Sequence, residues 1–338
     1  MNTAQFIDYN AGQKIMRQVK AAADFLGPGA MEVPIFETEI FDIVRRHSLA
    51  FTRLPTMKAT GHPHRYFDQT AIATGKFDDP RNISPTPAVP TRAERSVYIK
   101  CIDNQTNLSL FDKEVTEQQG QFSYVIAKDI EDILNGIELV RASALWTGND
   151  TSLTAPTTNQ YFGFLTQITQ TATIAPGASI IDGLKAQIAF MVGSQQYVIR
   201  PSAIYLNPIL RDYLDREAKA QQVNFGAQTE IAGVKVDTLR TQAGELPLIS
   251  EPFLPATTDT SFGFTAPPAG NKNYFAAILS EKDTEVPYVS GSEDNPNPRL
   301  FQLGLTGNLS GQYVGIKFDT VLAKGAAYAH AIVCVQRP

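Results

Sequence analysis

The sequence predicts an α+β fold, and three observations carry that expectation. The stretch from Thr116 to Gly148 reads as one long amphipathic helix. Residues 178–280 alternate helical and strand-like segments. From Arg299 the chain turns to long strands.

The helix is the element around which the chain is organised. Phe122, Ile126, Ile130, Ile133, Ile137, Val140 and Ala144 recur at spacings of three or four, which places them on one face. Lys128, Glu131, Asp132 and Asn135 fall largely opposite. Thr116 and Gln119 match a capping box. Gly148 stands where a helix ends in a left-handed turn. A rise of ~1.5 Å per residue gives a rod of about 45 Å. Gly120 and Gly136 each weaken it by about 1 kcal/mol relative to Ala, so packing must hold it straight. No residue on it has a catalytic pattern.

Taken in order, residues 1–35 do not form a unit with its own core. A short amphipathic helix is expected from Gly12 to Leu26, broken by Gly27-Pro-Gly29. A strand is expected at Val33–Phe36 and a helix at Glu37–Leu49. The stretch from Phe51 to Cys101 begins (AFTRLP) and ends (SVYIKCI) as a strand. Between these limbs lie Pro63, Pro80, Pro85, Pro87 and Pro90 and few large aliphatics. So long a polar excursion argues against ordinary packing and for a two-stranded arm with its partner in another subunit.

Beyond the long helix, GFLTQIT reads as a strand. Ala178–Tyr197 is a second amphipathic helix, with Ile181, Leu184, Ile188 and Met191 as its stripe. A strand leads to Asn207-Pro208, a cap and first-turn proline for a third helix, Ile209–Ala220. TEIAGVKVDTL reads as a short hairpin broken at Gly233, and LPLISEPFL and Tyr274–Leu279 as strands. The tail strands are LFQLGL, YVGIKFDTVL and AAYAHAIVCV, the last two expected as an antiparallel pair.

Composition narrows the function. The chain has 338 residues, 43% of them hydrophobic, and a formal net charge of −5. A mildly acidic chain has no general attraction for nucleic acid or anionic membrane. The two cysteines, Cys101 and Cys334, lie in apolar strand-like runs and read as buried free thiols of a reducing compartment rather than a disulfide. The opening MNTAQFIDYN is polar where a secretory signal needs an apolar run. No run is long enough to span a membrane.

Motifs that carry chemistry are missing from the sequence. No P-loop, G-x-S-x-G, H-E-x-x-H or C-x-x-C occurs. His62-Pro-His64 with Asp68 has metal-ligand residue types, but its prolines favour a solvated turn. Asp78-Asp79-Pro80 and Glu293-Asp294 with Asn295 and Asn297 read as polar turns rather than calcium sites. His330 lies in an apolar strand and reads as a satisfied core residue. The expectation is a protein without catalytic residues, cofactor or metal.

The order of elements resembles the major capsid proteins of tailed bacteriophages, the Hong Kong 97-like capsid fold, over essentially the whole chain. NGIELVRASALWTGND (135–150) resembles the end of that family's spine helix. VIRPSAIYLNPILRDYLDREA (198–218) resembles its axial strand-helix unit, and FGAQTEIAGVKVDTLRTQAGELPLISEPFLP (225–255) the hairpin and strand that follow. The resemblance implies an N-terminal arm at 1–49 and an extended β-hairpin loop at 50–101. It implies a peripheral domain of 102–176 and 299–338 around a spine helix at 117–146, and an α/β axial domain at 177–298.

It further implies a structural protein that self-assembles through hexamers and pentamers into an icosahedral shell around double-stranded DNA. Its location would be the virion, after assembly in the host cytoplasm. Its partners would include a portal, a separate scaffolding protein, and in some members a decoration protein. The arm pattern starts almost at Met1, which implies that any scaffold is a separate chain. Lys76, Asp78, Asp79 and Arg81 are the expected inter-subunit contacts in the extended loop. Two rival readings stand beside this one. The first is an encapsulin-type nanocompartment shell. The second is a soluble α/β enzyme or binding protein with a mobile lid at 51–101.

Overall fold

The computed structural model describes residues 48–73, 75–83, 89–109, 111, 114, 115, 118, 125–193, 199–221, 229–231, 234–291, 294–306 and 310–338. Residues 1–47 of the expected arm at 1–49, the capping box at Thr116 and Gln119, and Phe122 lie outside these residues; Ser48 and Leu49, expected at the end of a helix, are not helical.

Among the described residues, two large sheets and two two-stranded sheets accompany the expected spine helix. A short helix α1 (Ala50–Arg53) is followed by β1 (Thr56–Lys58), β2 (His64–Ala71), β3 (Thr91–Val97) and β4 (Lys100–Ser109). The spine is α2 (Val125–Thr147), then α3 (Phe164–Gln167), β5 (Thr171–Ile174), α4 (Ile180–Gly193), β6 (Ala203–Leu206) and α5 (Pro208–Ala220). The hairpin β7 (Thr229–Ile231) and β8 (Val234–Val236) precedes β9 (Thr238–Thr241), β10 (Gly244–Ser250) and β11 (Ala256–Thr257). The chain closes with β12 (Lys272–Leu279), β13 (Thr284–Tyr288), β14 (Arg299–Thr306), β15 (Ser310–Asp319), β16 (Leu322–Ala323) and β17 (Ala331–Arg337).

The spine's stripe is buried where it crosses β15 and β4. Ile133 and Ile137 are 2% and 1% exposed. They sit over Gly315 of β15, where a Cβ would come within 2.6 Å of Ile133 and 2.9 Å of Ile137. On the same crossing Asn104 Nδ2 of β4 donates to the Ile133 carbonyl at 3.2 Å, across the space that a side chain at Gly136 would fill. The glycine that weakens the isolated helix therefore lets it approach the sheet. Val140 departs from the expected stripe, at 56% exposed. Its buried place is taken by Arg141 and Ala142, because the stripe drifts around a 3.6-residue helix. Gly148 also differs from expectation, for its φ is not positive. It is needed because a Cβ there would meet the Tyr161 carbonyl at 2.3 Å.

The C-terminal end of the spine enters the core. Trp146 packs edge-on to Phe164 (centroids 5.9 Å apart) and tilted to Tyr205 (5.6 Å). GFLTQIT, expected as a strand, forms the short helix α3 instead. Phe164, Leu165 and Ile168 all enter the core, a spacing one helical turn satisfies and an alternating strand does not. AFTRLP likewise begins as helix α1, and the expected limb SVYIKCI breaks between β3 and β4.

The seven-stranded sheet runs β5-β17-β12-β6-β10-β9, with β11 on β12. Tyr205, Phe275, Ala277, Ile332 and Cys334 face the core beneath the spine's end. Ile204, Leu206, Ala276, Ile278, Val333 and Val335 face α4 and α5. Covered on both faces, β17 is a continuous buried run and not an alternating one. For that reason the expected pairing of the last two strands is not formed. β15 pairs with β14 and β4 in a six-stranded sheet, whereas β17 pairs with β12 and, in parallel, with β5. Cys334 is buried as expected, but Cys101 is exposed, and both are free thiols. Asn207 caps α5 as its sequence predicts, its Oδ1 accepting from Ile209 N at 2.9 Å.

Candidate assembly surface

The arm is built by β2 and β3, paired antiparallel from His64↔Val97 to Ala71↔Thr91. Alternation gives it two unlike faces. Arg65, Phe67 and Gln69 are exposed, with Phe67 at 76%, whereas Tyr66 and Asp68 are half-buried against the body. Tyr328 Oη donates to Asp68 Oδ1 at 3.0 Å. The Lys324 ammonium lies 5.4 Å from the Tyr66 ring centroid. At the base, His64 and Val97 are buried, and His64 Nε2 is 3.9 Å from Glu285 Oε2 while Lys324 pairs with Glu285 Oε1. Burial, with Asp68 and Glu285 adding and Arg95 opposing, pushes the Tyr66 hydroxyl up to about 12. Burial holds His64 below its ordinary value against the pull of Glu285. The clasp therefore fixes the direction in which the arm leaves the body.

The far end of the arm holds the four residues singled out from the sequence. Lys76 Nζ pairs with Asp78 Oδ1 at 3.0 Å. Asp79 Oδ1 accepts from Arg81 N at 2.9 Å and the Asp79 carbonyl from Asn82 N at 2.9 Å, which closes a turn. The loop brings all four to one exposed tip. Beside them Phe77 is fully exposed, and Ile83 and Val89 are 71% and 81% exposed. These are large apolar side chains left in water by the single chain.

Beneath the spine lies a groove of about 370 Å³ bordered by Phe51, Leu134, Glu138, Arg141, Lys317 and Pro298. Its charges are committed to one another. Arg141 Nε donates to Asp319 Oδ2 at 2.7 Å and its Nη1 to Glu138 Oε2 at 2.9 Å. Lys317 Nζ donates to Glu138 Oε1 at 2.6 Å, and Tyr161 Oη donates to Asp319 Oδ1. The guanidinium also lies 3.7 Å from the Phe51 ring centroid. Burial alone would raise the Glu138 carboxyl, yet Arg141 and Lys317 hold it below its ordinary value. This network ties the spine to β15 and to α1.

The remaining sequence candidates do not converge. His62 stacks edge-on to Tyr98 at 5.2 Å. Its neighbour His64 is buried at the arm's base, not in a solvated turn, because β2 begins with it. Among the described residues no three ligating side chains share a site. Asp294 accepts from Tyr288 Oη at 3.0 Å; Glu293 is outside the described residues. His330 is a core residue, its Nδ1 accepting from Ser280 N at 3.3 Å and its Nε2 facing the Lys324 carbonyl at 3.0 Å. Burial lowers its pKa to about 4. No local pattern marks Glu285, Lys324 or Tyr328 as the arm's seat, since more than two hundred residues separate them from β2.

No family model matches this chain, and no curated protein matches it in sequence. Solved structures do match it in fold. The head structure of Helicobacter pylori bacteriophage KHP40 aligns at a TM-score of 0.64 and 9% identity, covering 92% of this chain and 96% of that one. A chain of Gordonia phage Cozz aligns at 0.60 and 11%, covering 94% of both. The holo-SrpI encapsulin complex of Synechococcus elongatus PCC 7942 aligns at 0.56 and 13%, covering 93% of this chain and 94% of that one. The chain has the Hong Kong 97-like capsid fold that these structures share.

Proposed function

We propose that the chain is a phage major capsid protein, a structural subunit that assembles with copies of itself into a closed head shell. The observation that carries this is the arm: a two-stranded limb clasped at its base to the body, with its apolar and charged tip left in water. A closed cage is held by contacts repeated at every subunit, and a limb with little core of its own supplies such contacts. The fold, common to phage heads and an encapsulin shell, points the same way. Lys76, Asp78, Asp79 and Arg81 are the charged residues we assign to that contact. Hexamers and pentamers of this chain, a portal and a separate scaffold belong to the same reading, with assembly in the host cytoplasm and only weak contact to packaged DNA.

We assign no catalysis to the chain. The shifted groups Asp150, Tyr161, Tyr205, Glu251 and His330 sit in buried hydrogen-bonded settings, and Tyr66 and Cys334 are raised chiefly by burial. Within this reading the peripheral unit is the spine with the six-stranded sheet. The axial unit is the seven-stranded sheet with α4 and α5, and it takes β5 and β17 as well as most of 177–298.

Electron microscopy of the purified chain tests the proposal. Closed shells or tubes are expected; a protein that stays monomeric at high concentration and across salt would contradict it. An encapsulin shell is the second reading, favoured by the likeness to the encapsulin complex. Shells that enclose a co-purifying enzyme instead of DNA would decide for it.

A further inference from the structure

The segment Ser48–Arg53, through which residues 1–47 join the body, rests on two carboxylates of unlike kind. Glu281 is matched by charge: Arg53 makes a bidentate pair with it, and Tyr205 Oη and Ser202 Oγ donate to it at 2.6 and 2.9 Å. Glu251 is not. It is 0% exposed, and its Oε2 accepts from Ser48 Oγ at 2.9 Å and from Ala50 N at 3.2 Å. The amides of Leu49 and Phe253 also face it. Its Oε1 has no hydrogen-bond partner among the described residues.

Among the described residues no charged group compensates Glu251. On the segment itself Arg53 is committed to Glu281. Arg141, which stacks on Phe51 of that segment, is committed to Asp319 and Glu138. From β6 the contact is the Leu206 carbonyl, which accepts from Glu251 N at 2.8 Å, and from the following turn it is Leu254 N, which donates to the Glu251 carbonyl at 3.2 Å. A buried carboxylate without a counter-ion is costly, and the common relief is to take up a proton.

We propose that Glu251 is a proton-operated catch for the segment Ser48–Arg53: it holds a proton more tightly while the segment is seated, and it releases that proton more readily when the segment lifts and water reaches it. Oε1 is the oxygen open to the proton, because Oε2 is occupied as an acceptor. Ser48 Oγ is the donor lost on lifting. Burial, opposed by these donors, raises the carboxyl from its ordinary value near 4.5 to about 7. The sign follows from linkage. The seated state binds more protons than the lifted one, so seating strengthens as pH falls through 7 and is weakest above it. The switch acts on the segment that joins residues 1–47 to the fold, and it does not depend on the shell reading.

The test is hydrogen exchange of the full chain at pH 5 and pH 8, read on peptides covering 48–54 and corrected for the intrinsic rate. Protection of this segment should fall about 70-fold between the two, the ratio set by carboxyl values near 4.5 and 7. Peptides from β12 should hold their protection. Glu251→Gln, which cannot ionise, should show no such fall. Ser48→Ala, which removes a donor to the ionised form, should move the midpoint to higher pH, and it serves if Glu251→Gln does not fold. Flat protection in the unaltered chain overturns the proposal. So does a fall that persists in Glu251→Gln, or a midpoint unmoved by Ser48→Ala.

Discussion

Glu217 Oε2 accepts the backbone amide of Ile180 at 2.9 Å, so a side chain of α5 closes the N terminus of α4. Its Oε1 accepts from Ser179 Oγ at 2.6 Å and from Ile181 N at 3.2 Å. Ser179 Oγ in turn accepts from Asp182 N at 3.1 Å. Unsatisfied amides and the positive end of the helix dipole are thereby met by one carboxylate.

Glu217→Ala should therefore cost about 1–2 kcal/mol, the worth of a lost helix cap. Glu217→Gln keeps an acceptor and should cost less than half as much. Denaturant midpoints measure both. Equal midpoints for all three proteins would show that the cap adds nothing.

The spine crossing gives a second prediction. Ile133→Asp places an unpaired charge against β15 and should cost several kcal/mol, leaving the subunit insoluble or unfolded. Gly315→Val drives a side chain into Ile133 and Ile137, at about 1–3 kcal/mol. Adding Ile133→Ala should recover part of that loss, because the two sites touch and their effects are not additive. A soluble, stable Ile133→Asp protein would contradict burial of the stripe.

Much of this crossing was legible in the sequence, and the reasons are physical. Ile133 and Ile137 follow from period alone, and the Asn207-Pro208 helix start from capping chemistry. The arm's limbs were misplaced: AFTRLP is helix α1 and SVYIKCI straddles the break between β3 and β4, while the paired strands β2 and β3 lie inside the polar stretch between them. What stayed hidden depends on distant partners. Gly136 looked like a weakness until Asn104 occupied its space. α3 was misread because a short stretch with apolar residues at 164, 165 and 168 fits either a strand or one helical turn. The pairing of β17 was misread because burial on both faces erases alternation. The arm's seat on Lys324 and Tyr328, and the cap by Glu217, are contacts across sequence that no local pattern encodes.

Acid gives a third prediction, with its sign fixed by His330. Burial lowers this imidazole to about 4 from an ordinary value near 6.5. Between those values the unfolded chain binds a proton and the folded chain does not, so the His330 contribution is intact above about pH 6.5. It is lost progressively as pH falls towards 4, by about 1–3 kcal/mol. Glu251 acts oppositely as pH falls below 7, so the two contributions partly offset each other. His330→Asn should isolate the term: its stability relative to the unaltered chain should improve as pH drops from 7 to 4. A constant difference across that range would contradict the buried neutral imidazole.

The loop from Lys76 to Pro90 carries the central claim, that this chain closes shells through its arm. Sedimentation velocity of a chain whose residues 76–90 are replaced by a Gly-Ser link tests it most directly, alongside its thermal unfolding transition. Each exposed charge pair there contributes only about 0–1 kcal/mol, but a shell repeats the contact in every subunit. The shortened chain should unfold with the same cooperative transition as the intact one and should sediment as subunits or small oligomers, while the intact chain forms shells. Shells of normal size and stability from the shortened chain would contradict the account, and so would loss of its fold.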